Sequence, residues 1–232
     1  MTDPYAPPFT LPPIDVVGQR RVPGGIFPPA SGSSGGGPGE GGIHQNELDP
    51  DNPGPDPSPP HPCDNPETAL AWNADAAAAT AAAALMASAA SLNDGSSLAN
   101  REFGAQLYRG LGNSVRITPV SVGDPAVAGE IPSVGIEWFD ANAGNWMGDI
   151  HNHPSGDGRL SDGEWANFVN FLSSMSATNP ERIYDLANIS VYVVVLDPSA
   201  ANGCRIYAYN RDTPYDTLGQ EVNPDAQPCP LI

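Results

Sequence analysis

The pattern of apolar and polar positions separates a chain start without regular periodicity from a later part with helix and strand periods. An alanine-rich run from Pro66 to Leu92 predicts a helix, because proline suits a first turn and alanine is the strongest helix former. Large apolar residues recur at three- and four-residue steps from Ser161 to Met175, which predicts a second, amphipathic helix. Short apolar runs predict strands over residues 105–108, 114–118, 131–139, 145–152, 189–196 and 204–209.

This order of elements predicts the fold class and the domain organisation. Strands interleaved with helices indicate an α/β or α+β domain, with a mixed central β-sheet flanked by helices, which we place at residues 67–232. The apolar run 189–196 is typical of a buried central strand. Residues 1–66 carry most of the 27 prolines. Such a segment buries too little apolar surface to offset its chain entropy, so we expect a flexible or partner-docked arm there.

Composition excludes several classes of partner. The formal net charge is −18, and all 9 basic residues are scattered arginines. Such a chain repels phosphate backbones, so we expect no nucleic-acid binding. The alanine-rich helix carries polar side chains and partitions weakly into lipid, so we expect no membrane insertion. The residues Met1 to Tyr5 show no basic region followed by an apolar run, so we expect a cytoplasmic protein or non-classical export.

The three cysteines are too few and too widely spaced for a zinc ribbon or a dense disulfide framework. They are Cys63, Cys204 and Cys229. One disulfide remains open at this point, either between Cys204 and Cys229 or involving Cys63.

Chemistry concentrates in the sequence His151-Asn152-His153-Pro154, at the end of a predicted strand. Side chains alternate faces along a strand, so both imidazoles point the same way and are able to share one metal ion. Imidazole suits zinc, and a catalytic zinc needs a third protein ligand, for which the next acids are Asp157, Asp162 and Glu164. Ser161 and Glu164 also form a capping-box pattern, which needs no metal. Asp149 is expected to be solvated or to orient an imidazole N–H.

The His-x-His-Pro sequence followed by Ser-x-x-acid resembles the JAMM signature of the JAB/MPN metallohydrolases. The sequence His-Asn-His-Pro-Ser-Gly-Asp is similar to those of the RadC-like branch of this family and of JAB-related domains in bacterial polymorphic toxins. Upstream, the segment from Glu102 to Gly110 resembles the family's glutamate-containing segment. The resemblance covers roughly residues 98–196 and leaves out the arm and the alanine-rich helix.

The resemblance implies a JAB/MPN, cytidine-deaminase-like core and a zinc ion held by His151, His153 and an acid. The family has aspartate at the final position, where this chain has Glu164; we favour Glu164 as the third ligand, with Asp162 as the alternative. Glu102 would be the general base and Ser161 the oxyanion donor. Two other candidates for the base are Glu130 and Glu137.

The implied function is that of a zinc-dependent metallo(iso)peptidase, which cleaves amide bonds of a protein or peptide substrate through a metal-activated water. The resemblance places it among bacterial toxin, phage or secretion-system components, with residues 1–66 tethering it to a larger assembly. The alternative is a non-enzymatic structural or interaction module that retains the fold. A nuclease or DNA-repair role by RadC analogy is disfavoured by the acidic charge.

Overall fold

The computed structural model describes residues 61–125, 132–136, 145–178 and 188–230. These residues form a mixed α/β domain in which a seven-stranded, mostly antiparallel sheet is flanked by helices. The two predicted helices are confirmed as α1 (Pro66–Ser91) and α2 (Asp162–Thr178). No helix in the described ranges is long and apolar enough to span a membrane.

The sheet has the strand order β2-β1-β4-β5-β6-β7, and β3 also pairs with β1. The strands are β1 (Phe103–Arg109), β2 (Val115–Ile117), β3 (Ser121–Val122), β4 (Trp146–Asn152), β5 (Ser190–Leu196), β6 (Cys204–Tyr209) and β7 (Gln220–Glu221). Strands β4 and β5 are parallel, and α2 provides the crossover between them. The other pairings are antiparallel.

One predicted strand, over residues 131–139, is wrong where it can be checked. Residues 132–136 form no strand, and the rest of that range lies outside the described residues. The segment crosses the face of β1 and does not extend the sheet, because Ile136 packs over Gly104 and the Val134 N–H donates to the Glu102 carboxylate. Segment 132–136 therefore covers the face of the sheet next to the end of β4.

The core lies on both faces of the sheet. Strand β5 is buried on both sides, as the sequence predicted: Val191, Val193 and Val195 pack towards α2, whereas Tyr192 and Val194 pack towards α1. Small alanines let α1 lie close to the sheet, and many of its alanines are fully buried. The two helices thus fix the sheet from opposite sides.

A β-bulge in β4 sets which side chains face α2. The pairing with β1 shifts between Leu107 and Tyr108, so Met147 is an extra residue in β4. Gly148 has φ +137°, and a Cβ there would lie 1.7 Å from the Ser190 carbonyl oxygen, so only glycine fits this position. The bulge thus places Trp146 on the α2 side of the sheet and Met147 on the α1 side.

The start and end of the described chain are joined by a disulfide between Cys63 and Cys229, 166 residues apart. The alternative pairing of Cys204 with Cys229 is wrong, because Cys229 is bonded to Cys63, and Cys204, the first residue of β6, is buried in the core and free. Asn73 on α1 accepts a hydrogen bond from the Cys229 N–H at 2.6 Å. Residues 61–65, from the predicted arm, are thus attached to the domain, and the first 60 residues lie outside the described chain.

Candidate metal centre

Two histidines project from the end of β4 into the space beneath α2. His151 and His153 are two residues apart, so they share a face of the sheet, and Asn152 between them points to the opposite face. His151 pairs with Gly104 of β1. A Cβ at Gly104 would lie 2.7 Å from the Ile136 side chain, so the glycine lets segment 132–136 close over the sheet next to His151.

The two imidazoles meet the carboxylate of Glu164. The Nε2 atoms of His151 and His153 are 3.1 Å apart. The Oε1 atom of Glu164 lies 2.9 Å from Nε2 of His151 and 3.1 Å from Nε2 of His153. Three ligand atoms of types that bind metals therefore converge on one point, and in the described chain this is the one such group of three.

Glu164 serves as both a helix cap and a member of the cluster. Its Oε2 accepts a hydrogen bond from the Ser161 N–H at 2.6 Å, and its own N–H donates to Ser161 Oγ at 3.3 Å, which completes a capping box. Its Oε1 is left to face the histidines. The capping box and the metal-ligand interpretation are therefore compatible, because each uses a different carboxylate oxygen.

The alternative third ligand lies elsewhere. Asp162, two residues before Glu164 on α2, accepts a hydrogen bond from the hydroxyl of Tyr215 and is outside the cluster. Tyr215 also packs edge-on against Trp165. Of the two acids that the sequence left open, the structure brings Glu164 to the histidines.

Hydrogen bonding determines how His153 presents its nitrogens. Its Nδ1 lies 2.8 Å from the carbonyl oxygen of Asp157. A carbonyl only accepts, so Nδ1 carries the hydrogen, and the neutral ring then points the Nε2 lone pair into the cluster. Lone pairs of an imidazole and a carboxylate that face each other at 3.1 Å repel unless a proton or a cation lies between them.

The shifted pKa values in the site also show that a positive charge is favoured there. Burial lowers the pKa of His151, but the nearby carboxylates of Asp149 and Glu164 outweigh burial and raise this pKa to about 10. Burial also raises the pKa of Glu164, and hydrogen bonds from His151 and His153 overcome it and hold the pKa far below its usual range. The cluster is thus anionic at its carboxylate and attracts either protons or a metal ion.

Asp149 lies on the far side of the His151 ring. Its Oδ1 is 3.9 Å from Nδ1 of His151, which is too long for a direct hydrogen bond, so it acts through charge. Asp149, which we expect to be solvated or to orient an imidazole N–H, thus lies beside the His151 ring and raises the pKa of His151.

Glu102 lies beside the cluster, immediately before β1. It is two residues from Gly104, so it lies on the face of the sheet that carries His151. Its side chain is buried, and burial raises the pKa of its carboxyl, an effect that the charges of His151 and His153 oppose. A carboxylate with a raised pKa next to a metal-ligand cluster has the properties of a general base. The rival bases Glu130 and Glu137 lie outside the described residues.

All of these groups open onto a single cleft of about 990 Å³. Sheet residues form its floor, α2 forms one wall, and segment 132–136 forms another. Ser161 lies at its edge and is exposed. Away from the cluster the lining becomes apolar; it includes Trp146, Leu160, Phe168, Phe171 and Val191.

Asn152 is a buried residue beside the candidate site whose contacts the sequence analysis missed. It is fully buried, and its Nδ2 donates to the carbonyl oxygens of Leu98 at 2.8 Å and Arg101 at 2.9 Å. Its Oδ1 accepts from the Phe103 N–H at 2.8 Å. Asn152 thus ties the segment that carries Glu102 to the histidine strand. The available signal was a polar residue inside a buried strand, which must find hydrogen-bond partners.

No protein-family model, curated protein or solved structure matches this chain.

Proposed function

We propose that this protein is a zinc-dependent hydrolase of amide bonds, a JAMM-type metallo(iso)peptidase that acts on a protein or peptide substrate. The observation that carries the proposal is the convergence of His151, His153 and Glu164 on one point beside the buried carboxylate of Glu102. The mixed sheet between helices is the class of fold that the JAB/MPN resemblance implies, and it supports the proposal at that level.

The donor set fits zinc. Catalytic zinc sites use three protein ligands and keep one position open, and two imidazoles with one carboxylate are one such set. Two ligand atoms on a tetrahedral zinc lie about 3.4 Å apart. The three spacings in the cluster are 2.9, 3.1 and 3.1 Å, so a small adjustment of the side chains suffices. The open side of the cluster faces the cleft.

Zinc held by His151, His153 and Glu164 would supply Lewis-acid chemistry, lowering the pKa of a water and polarising the substrate carbonyl. Glu102 then has the task of accepting a proton from the attacking water and returning it to the leaving amine. Its burial suits this task, because a raised pKa brings proton affinity closer to neutral pH. The Val134 N–H holds its carboxylate in place.

Ser161 has a hydroxyl available for the reaction. Its Oγ accepts the Glu164 N–H, so the hydroxyl hydrogen remains available to donate. Its position at the exposed edge of the cleft, one helical turn before Glu164, places this donor next to the cluster. We assign Ser161 the role of hydrogen-bonding the carbonyl oxygen as negative charge develops on it, which is worth about 10²-fold or more in rate at such sites.

A cleavage assay of the zinc-loaded protein, with mixed peptides and isopeptide-linked conjugates as substrates, tests this proposal. We expect cleavage by the native protein and a loss of about 10²-fold or more in turnover for Glu102→Gln, which should retain zinc because Glu102 is not a ligand. The matched control is Glu221→Gln, on the exposed edge strand β7, which should keep full activity.

Two results would contradict the proposal. Full turnover in Glu102→Gln would remove Glu102 from the mechanism. Zinc binding without cleavage of any peptide or conjugate would favour the non-enzymatic module that the sequence analysis kept as the alternative.

A further inference from the structure

We propose that the cleft binds an extended peptide whose backbone amide is hydrogen-bonded by the Gln106 side chain. The apolar end of the cleft binds a large apolar side chain of the same peptide. This proposal rests on the proposed function, since it assigns the substrate class of the same cleft. It concerns groups outside the cluster of His151, His153 and Glu164, and it can be tested by binding as well as by cleavage.

The first observation is an unpartnered amide at the floor of the cleft. Gln106 is 4% exposed and lines the cleft. Its backbone is satisfied by Thr118, which donates its N–H to the Gln106 carbonyl at 3.0 Å and accepts the Gln106 N–H on Oγ1 at 2.9 Å. Among the described residues, nothing hydrogen-bonds its side-chain amide. Its donor and acceptor are therefore available to a ligand.

The second observation is that the amide still reaches the cleft. In the described chain, every fully buried side-chain nitrogen or oxygen atom has a hydrogen-bond partner. The unpaired amide of Gln106 therefore retains access to the cleft. A primary amide offers a donor and an acceptor together, which is the complement of a backbone peptide group.

The strand register sets the distance from the reacting centre. Gln106 pairs with Asp149, and Gly104, two residues earlier, pairs with His151. Two residues of an antiparallel strand span about 6.8 Å. Two residues of an extended peptide span a similar length, at about 3.3–3.6 Å each. A peptide that runs along β4, beside segment 132–136, with its scissile carbonyl at the cluster would therefore bring the amide two residues away level with Gln106.

The third observation is an apolar wall that begins level with Gln106, where Val191 pairs with Asp149, and continues beyond it to Trp146, which pairs with Tyr108. Trp146 and Phe171 pack with ring centroids 4.4 Å apart and an interplanar angle of 56°. Phe168 and Val191 line the same end of the cleft. Such a wall favours a leucine- or phenylalanine-sized side chain and disfavours a charged one, because burial of a charge without a partner is costly.

Peptide binding to the full-length, zinc-loaded Glu102→Gln protein tests the proposal without cleavage. A set of hexapeptides is measured by calorimetry, with leucine moved along the sequence and each backbone amide N-methylated in turn. We expect one leucine position to dominate and one N-methylation to weaken binding by about 3- to 10-fold, which is the effect of one neutral hydrogen bond.

The variant Gln106→Met, in the same background, removes the amide and preserves the volume. We expect it to weaken the best peptide by about the same 3- to 10-fold, and the N-methyl effect to disappear in it, because the two changes remove one interaction. Gln220→Met, on the exposed strand β7, is the matched control and should bind the peptide normally. Should Gln106→Met fail to fold, as judged by thermal unfolding, the N-methyl scan on the parent protein decides alone.

The two proposals fail in different ways. Peptides that bind without any sensitive amide or apolar position, or an N-methyl effect that persists in Gln106→Met, overturn the assignment of Gln106, even if the native protein cleaves them. A Gln106-dependent binding preference combined with no cleavage by the native, zinc-loaded protein would support this inference and contradict the hydrolase function.

Discussion

Substitution of Asn152 should loosen the attachment between β4, which carries the histidines, and the segment that carries Glu102. Its amide makes three hydrogen bonds to the backbone of the preceding segment, to Leu98, Arg101 and Phe103, at 2.8–2.9 Å. Asn152→Leu preserves much of the volume and removes all three. Each buried backbone group left without a partner costs about 1–3 kcal/mol, so even the lower figure gives a loss of about 3 kcal/mol.

That loss is a large share of the stability of a domain, which is typically about 5–15 kcal/mol. The free energy of unfolding from urea or guanidinium titration measures it directly. The matched control is Asn170→Leu, at an exposed position of α2, where we expect a change of about 0.5 kcal/mol or less. A loss below about 1 kcal/mol for Asn152→Leu would refute the role given to its hydrogen bonds.

The same variant should separate metal binding from catalysis. His151 and His153 lie at the end of β4, and β4 is also held by its parallel pairing with β5. Zinc affinity should therefore change little in Asn152→Leu, whereas turnover should fall because the Glu102 segment loses its attachment. Equal losses of zinc affinity and turnover would show that Asn152 supports the whole site and not the Glu102 segment in particular.

Two further predictions concern stability. Cys63→Ser removes the disulfide to Cys229, and we expect the free energy of unfolding to fall by about 2–5 kcal/mol because the bond closes a loop of 166 residues. As a control, a reducing agent should leave the denaturation midpoint of Cys63→Ser unchanged. A variant midpoint equal to that of the oxidised native protein would contradict the disulfide. Gly148→Ala should destabilise the fold severely, since its Cβ would lie 1.7 Å from the Ser190 carbonyl oxygen, and a soluble variant with native thermal unfolding would contradict the bulge.

Much of the site's framework could be predicted from local patterns. The alternation along a strand placed both imidazoles of His151 and His153 on one face, and the helical period placed Glu164 in the first turn of α2. The two helices and the buried strand 189–196 follow from equally local signals, and all three are confirmed.

What the sequence could not supply depends on long-range contacts. The choice of Glu164 over Asp162 depends on Tyr215, which is 53 residues from Asp162 in the chain and binds its carboxylate. The pairing of Cys63 with Cys229 depends on how the chain end packs on α1, and cysteine spacing carries no information about it.

The error over residues 131–139 has a similar origin. The alternation of apolar residues there fits a strand, but the described part packs across the face of β1, where Ile136 covers Gly104. An apolar segment that covers a sheet and one that extends it have the same local pattern, so tertiary packing decides between them.

Zinc stoichiometry, measured by elemental analysis after saturation and removal of free metal, shows whether His151, His153 and Glu164 form a metal centre. We predict one zinc per native chain, one per Glu102→Gln chain, and none in His151→Ala, whose lost imidazole leaves two ligands. Native protein that stays metal-free under zinc saturation, or His151→Ala with an unchanged zinc content, would contradict it.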